Sequence, residues 1–163
     1  MNTNKTGIDN KFFRVLYYRV LKEKDYSGRT QTSSSEASIK VQIKDRVVTY
    51  ATPKGTKTEV LDLVVYRVAE GNGSVNALDN ALRKALADFF SGIENVKLVD
   101  FEVHKKRGEE GTESLVEVTV KSSDGKNTWE TKATSTDIIE ASMLAIVSSL
   151  EKELLYLSAS IRT

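Results

Sequence analysis

The segment Glu70-Gly71-Asn72-Gly73-Ser74-Val75-Asn76 holds the residue types best suited to hold a ligand. Its two glycines let the backbone turn sharply and let a ligand approach it closely. A helix starting directly after the turn leaves unpaired amides aimed at it, and such amides attract an anion such as a carboxylate. The segment is not a dinucleotide fingerprint, because Asn76 stands at the place of the third glycine. The same residues also read as a plain strand-to-helix turn. Spacing alone does not separate the two readings.

Other candidates carry less. His104 has the chemistry of a general base, but it sits on an expected strand with no serine or cysteine nucleophile motif near it. It reads as a solvated strand histidine. Glu109-Glu110, flanked by Gly108 and Gly111, reads as a hairpin turn. Lys105-Lys106-Arg107 is a basic run too short to suggest nucleic acid. Trp129 reads as a core or interface residue, and Tyr17 and Tyr18 as part of a sheet face. No paired catalytic carboxylates, metal cage or nucleotide loop is present, so no catalytic residue, metal site or cofactor is assigned.

Composition narrows the class. The chain has 163 residues, enough for one domain or two small lobes. Its 24 basic and 23 acidic side chains leave a net charge of +1, which argues against a dedicated nucleic-acid binder. With no cysteine and one histidine, disulfides, thiolate zinc sites and histidine-rich metal sites are excluded. No apolar run approaches the roughly 20 residues of a membrane helix, and the start Met1-Asn-Thr-Asn-Lys-Thr-Gly7 lacks a signal-peptide core. A cytoplasmic protein without membrane contact is the expectation.

Alternation and helical periodicity place the elements that must position these residues. Strands are expected at about Phe12 to Glu23, from near Ser35 through Val47, Val48 and Tyr50 to Thr52, and about Thr58 to Ala69. Residues 25–34 read as an exposed loop, and Thr52-Pro-Lys-Gly55 as a turn. A helix is expected over about Val75 to Phe90, with Val75, Leu78, Leu82, Ala85, Leu86 and Phe89 on one stripe. Asn80, Arg83, Lys84 and Asp88 then face away. Further strands are expected at about Lys97–Lys106, Glu113–Ser122 and Asn127–Thr134, with Asp124-Gly125 as a tight hairpin. The last helix starts near Thr136 or Asp137, where Asp137 and Glu140 have capping-box spacing. Besides its apolar stripe it carries small residues, Ala141, Ala145, Ser148 and Ser149, a face to be covered by the same chain or by a partner.

These elements repeat. Tyr18-Arg-Val20 corresponds to Phe101-Glu-Val103, the strand from Ser35 to the strand from Ser114, and Val64–Leu86 to Trp129–Leu150. The fold class is therefore α+β: duplicated βββα units with pseudo-two-fold symmetry, antiparallel sheets packed with two helices. The expected organisation is a flexible tail over 1–11, a domain over 12–155 with repeats 12–92 and 96–155, and a C-terminal tail over 156–163.

Two segments carry a family resemblance. Glu70-Gly-Asn-Gly-Ser-Val-Asn-Ala-Leu-Asp-Asn-Ala-Leu-Arg-Lys-Ala-Leu86 resembles a signature of the C-terminal regulatory domain of 2-isopropylmalate and citramalate synthases. Leu98-Val-Asp-Phe-Glu-Val103, Ser122-Ser-Asp-Gly125, Thr128-Trp129 and Ile138-Ile-Glu-Ala-Ser142 are similar to its second half, nearer the citramalate branch. The resemblance covers about residues 12–155. It implies a LeuA-type allosteric and dimerisation domain that binds isoleucine or leucine, the end products of branched-chain amino-acid biosynthesis, and forms a homodimer. In that family a separate catalytic barrel performs an acetyl-CoA-dependent condensation with a divalent metal. This chain lacks the barrel and its metal-binding histidines, so it is expected not to catalyse by itself. The alternative is a structural dimerisation module that has lost its effector. Carried over by residue, the resemblance assigns effector binding to Gly73, Ser74, Val75, Asn76, Leu98, Phe101, Lys105, Val116, Thr136 and Ile138. It sets Lys105 where relatives are apolar and Asn76 where some carry aspartate.

Overall fold

The computed structural model describes residues 8–26, 32–106 and 114–160. Residues 27–31 of the expected loop and the Gly108–Gly111 hairpin lie outside the described residues. The chain forms β1 (Ile8–Asp9), β2 (Phe13–Asp25), β3 (Thr32–Thr52), β4 (Gly55–Gly71), α1 (Ser74–Ala87), a 3-10 turn (Ile93–Asn95), β5 (Lys97–Lys105), β6 (Val116–Ser123), β7 (Thr128–Ser135) and α2 (Ile138–Ser160). The strands make two antiparallel sheets, in the orders β1-β2-β3-β4 and β5-β6-β7. This is the α+β arrangement of two βββα units that the duplication requires.

Alternation decides which faces are buried. Ala37, Ile39, Val41 and Ile43 of β3 are fully buried under α1, which contributes Ala77, Leu78, Ala81, Leu82, Ala85 and Leu86. Val118 and Val120 of β6 are buried in the same way under α2. The helices also touch each other, so the buried residues form one core. Each fully buried Leu or Ile in it contributes about 1.5–3 kcal/mol.

The small face of α2 is covered by the chain itself. Ala141, Ala145 and Ser149 are buried. Thr131 Oγ1 donates to the Ala145 carbonyl at 2.7 Å, Ser149 Oγ meets Ser122 Oγ at 2.7 Å, and the Trp129 indole donates to Ser149 Oγ at 2.9 Å. Small side chains let the helix approach the sheet closely enough for these bonds. Of the four small residues only Ser148 stays exposed, so most of this face is not available to a partner.

The duplication holds in register. Tyr18 pairs with Ile39 and Val20 with Ala37, as Phe101 pairs with Val120 and Val103 with Val118. Ala69 and Ala133 occupy equivalent places in β4 and β7. Even a β-bulge repeats: the register shifts between Val15 and Tyr17 in β2 and between Leu98 and Asp100 in β5. One detail differs from the sequence reading: Val116, not Ser114, is the counterpart of Ser35, since they pair with Ser135 and Gly71. Counted from these strands, α1 and α2 match with a constant offset. Gly73 corresponds to Asp137, Asn76 to Glu140, Asp79 to Met143 and Arg83 to Val147.

Several boundaries move. The segment 1–11 is not wholly a tail: Ile8 pairs with Val15, Lys44 forms an ion pair with Asp9, and Asn10 Oδ1 accepts the Phe12 amide at 2.9 Å. The loop expected over 25–34 is shortened, because Asp25 still pairs with Thr32. Residues 156–160 are not a tail but the last turns of α2. Leu157 packs against Gly92, where a Cβ would come within 3.1 Å of it. The helix α1 stops at Ala87, short of the expected Phe90. The hairpin β3–β4 continues past the core as paired strands to Thr52 and Gly55. Asp45, at φ 52, bulges opposite Asp62, whose Oδ1 accepts its amide at 3.1 Å.

Candidate functional site

The Gly71–Gly73 turn delivers α1 to a cavity of about 450 Å³ lined by Val75, Asn76, Asp79, Arg83, Lys97, Leu98 and Phe101. Gly71 is required by close approach, since a Cβ there would lie 2.4 Å from the Ala77 nitrogen. Gly73 has extended backbone and offers no side-chain cap. The first helical bond runs from the Ala77 amide to the Gly73 carbonyl at 2.9 Å, which leaves the amides of Val75 and Asn76 without a helical acceptor. Asn76 Oδ1 accepts the Asn72 amide at 3.1 Å and meets Asn80 Nδ2 at 3.5 Å. The oxygen of Asn76 is thus occupied, and its NH2 is the end left to meet a ligand.

One turn further on, Asp79 is 4% exposed and paired with Arg83. Arg83 does not face away as its place on the helical wheel suggests. It also donates to the Val96 carbonyl and, at 3.2 Å, to Asn80 Oδ1, while its buried Nε has no partner among the described residues. Asp79 bonds Arg83 through Oδ2, and Oδ1 has no hydrogen bond among the described residues. Burial pushes the Asp79 carboxyl above its ordinary value, against the opposing pull of the Arg83 guanidinium.

The opposite wall comes from β5. The bulge there puts Leu98 and Phe101 on one face although they are three positions apart. The inner face continues through Val103 and Lys105, but α2 covers β6 and β7 rather than β5. Val103 therefore stays 39% exposed opposite the buried Val118.

Val75, Asn76, Leu98 and Phe101 line the cavity, and Gly73 and Ser74 form the adjoining turn. The other four expected residues do not line it. Lys105 and Val116 are cross-strand partners at the far end of β5. Thr136 and Ile138 follow Ser135, the partner of Val116 on β7, and both are exposed. Asp79, Arg83 and Lys97 are wall residues that sequence reasoning missed. The available signal was the Asp79–Arg83 pair at i,i+4 in the midst of an apolar stripe. His104 lies exposed on the outer face, 3.1 Å from Glu102.

The duplication makes a second junction of the same kind. A cavity of about 400 Å³ is lined by Ile8, Val15, Leu16, Tyr17, Tyr18, Glu140 and Leu144. Val15, Tyr18 and Glu140 are the counterparts of Leu98, Phe101 and Asn76. Here the helix start is closed: Asp137 Oδ1 accepts the amides of Ile139 at 2.6 Å and Glu140 at 3.0 Å. Glu140 takes the Ser135 hydroxyl at 2.5 Å, which in turn accepts the Asp137 amide at 3.1 Å. Burial first, then the charges of Glu140 and Asp137, raise the pKa of Tyr18.

The chain is 38% identical over 148 residues to the (R)-citramalate synthase of Geobacter sulfurreducens, an alignment covering 91% of this chain and 24% of that protein. The (R)-citramalate synthase of Aquifex aeolicus is 32% identical over 149 residues, covering 91% of the chain and 25% of the relative. That of Synechocystis is 45% identical over 87 residues, 53% of the chain and 16% of the relative. The chain thus spans about a quarter of the length of the first two relatives. Among the described residues no helix is long and apolar enough to cross a membrane. The LeuA allosteric (dimerisation) domain matches residues 2–154, and the chain belongs to that family.

Proposed function

We propose that this domain binds isoleucine, with leucine as the alternative, and transmits its binding as feedback inhibition to a citramalate synthase-type catalytic barrel. The observation that carries this reading is the cavity between the α1 start and β5. Val75, Leu98 and Phe101 give it apolar walls, while Asn76, Asp79, Arg83 and Lys97 supply polar groups. That combination suits a small molecule with a branched aliphatic body and two charged ends. Beyond Phe101 the inner face of β5 continues through the exposed Val103 and Lys105, and in this reading a second copy of the chain closes the cavity there. Lys105, Val116, Thr136 and Ile138 belong to this closing region. Allostery is then a coupling free energy: effector binding favours one dimer arrangement, which disfavours productive barrel closure. The domain alone carries out no condensation and needs no cofactor.

Burying a branched side chain contributes about 1.5–3 kcal/mol. A carboxylate at a helix start adds about 0.3–1 kcal/mol when exposed and more when partly buried. Against the cost of association, this corresponds to about micromolar to millimolar affinity. Thermal unfolding and calorimetric titration with isoleucine, leucine and valine test it. A ligand that binds only the folded state raises Tm, and Val75→Asp is expected to remove the shift while the domain stays folded. If isoleucine and leucine in excess move neither readout, the effector reading fails. The second reading, a dimerisation module without effector, then replaces it. That reading draws on the exposed Lys105, which puts a charge on an otherwise apolar inner face.

A further inference from the structure

The two repeats serve as controls for each other, and three of the equivalent positions at which they differ bear on the α1 start. In the second repeat Asp137 caps α2, its Oδ1 accepting the amides of Ile139 and Glu140. The counterpart of Asp137 is Gly73, which has no side chain, so the equivalent amides of Val75 and Asn76 stay open. The counterparts of Asp79 and Arg83 are Met143 and Val147, 0% and 3% exposed. The same helix position thus packs with an apolar pair in one repeat and a mostly buried ion pair in the other. Buried ion pairs are commonly replaceable by apolar residues without loss of stability, and here the molecule contains that replacement. The fold does not demand Asp79, yet Asp79 stands where it lines the cavity, with one oxygen unpartnered among the described residues.

From these differences we propose that the ligand's α-carboxylate takes, at the amides of Val75 and Asn76, the place that the Asp137 carboxylate takes in the second repeat, and that its ammonium is received by Asp79 Oδ1. This rests on the reading that the cavity takes a free amino acid, and it fixes which way round the amino acid sits. Asn76 is the weaker ammonium acceptor, because its neutral oxygen already accepts the Asn72 amide and lies 3.5 Å from Asn80 Nδ2, whereas Asp79 Oδ1 belongs to a carboxylate and has no hydrogen bond among the described residues. The Asn76 NH2 donates to the ligand's carboxylate instead. Positions 76 and 79 lie one helical turn apart, roughly 5–6 Å between Cβ atoms, a span that an amino-acid head group bridges. Arg83 positions Asp79 by holding the other oxygen.

Gly73 provides the decisive test. Its backbone is extended, and a Cβ there meets nothing within 4 Å. Gly73→Asp therefore installs the cap of the second repeat in the first. It is expected to raise Tm and to weaken isoleucine binding at least tenfold, because an internal carboxylate occupies the amides. Gly73→Ala adds a Cβ but no carboxylate and leaves the amides open, so it is expected to weaken binding less than Gly73→Asp, which separates the effect of the carboxylate from that of the Cβ. The double variant Asp79→Met with Arg83→Val transplants the apolar pair. It is expected to stay folded and to lose the preference for isoleucine over 3-methylpentanoate, which lacks the ammonium. In the parent chain, calorimetry is expected to show 3-methylpentanoate and 2-methylbutylamine, which lacks the carboxylate, each at least tenfold weaker than isoleucine. Isoleucine bound equally well by Gly73→Asp, or a deaminated analogue bound as tightly as isoleucine, overturns the head-group assignment and leaves the amino-acid reading standing. A parent chain that binds neither isoleucine nor leucine removes both.

Discussion

Glu153 sits near the end of α2 with 4% of its surface exposed and no hydrogen bond from another described residue. Burial, and secondarily the nearby Asp124 carboxylate, raise its pKa above the ordinary glutamate value. The folded chain then holds that proton more tightly than the unfolded chain. The stability Glu153 contributes is fully present below its unfolded pKa and is lost as pH rises through the raised folded one. Glu153→Gln is therefore expected to raise Tm at neutral pH and to leave it unchanged in acid, a difference that thermal scans across pH read directly. An equal shift at both pH values would mean that packing, not charge, is responsible. Residues of this kind are poorly legible in sequence. Helical periodicity marks Arg83 as an outward position, but it is drawn in toward the opposite wall, where it bonds Asp79 and the Val96 carbonyl, which a wheel diagram does not contain. The spacing of Leu98 and Phe101 likewise puts them on opposite faces of a regular strand. Only the bulge between Leu98 and Asp100 brings them together.

At the level of elements, the start of α2 shows how much local sequence specifies. Asp137 and Glu140 have capping-box spacing, and Asp137 does cap the helix. Glu140 does not reach back to the Asp137 amide. It acts through Ser135, which receives that amide and donates to the Glu140 carboxylate. Removing an aspartate cap costs about 0.5–2 kcal/mol. Asp137→Ala is expected to lower stability by about 1 kcal/mol in denaturant titration, whereas Gly73→Ala, at the equivalent uncapped position, has no such bond to lose. If the two variants cost the same, the cap bonds contribute nothing to stability. The strands and helices themselves were legible because alternation and the 3.6-residue period persist through each repeat. Their ends were less so. Residues 156–160 carry no apolar stripe of their own, yet Leu157 is fixed by Gly92 and the helix continues. The β3–β4 hairpin runs past its bulge because pairing resumes at Arg46 and Leu61.

For the whole molecule, the question is which surface a second copy covers. Most of the small-residue face of α2 is not available, since β6 and β7 already cover Ala141, Ala145 and Ser149 and leave only Ser148 exposed. The inner face of β5 is different. Val103 lies on the same side as the buried Val118 and Val120, yet it is 39% exposed, and Ile138 at the α2 start is 43% exposed. Lys105, Val116 and Ser135 connect these two residues across the sheet. An apolar sheet face left uncovered beside a half-lined cavity suits a two-fold interface, in which each copy offers the same patch to the other. A stable interface of this kind covers about 800 Å² per partner, more than the cavity mouth alone, so it must extend along β5. Light scattering at micromolar concentration is expected to give about twice the 18.1 kDa chain mass. Val103→Asp combined with Ile138→Asp is expected to give a monomer with unchanged circular dichroism, because neither side chain belongs to the buried core. The same variant is expected to bind isoleucine more weakly, since the cavity then lacks the closing copy. A variant that remains dimeric places the interface elsewhere, and a parent chain that is monomeric at every concentration removes the dimer and the shared cavity together.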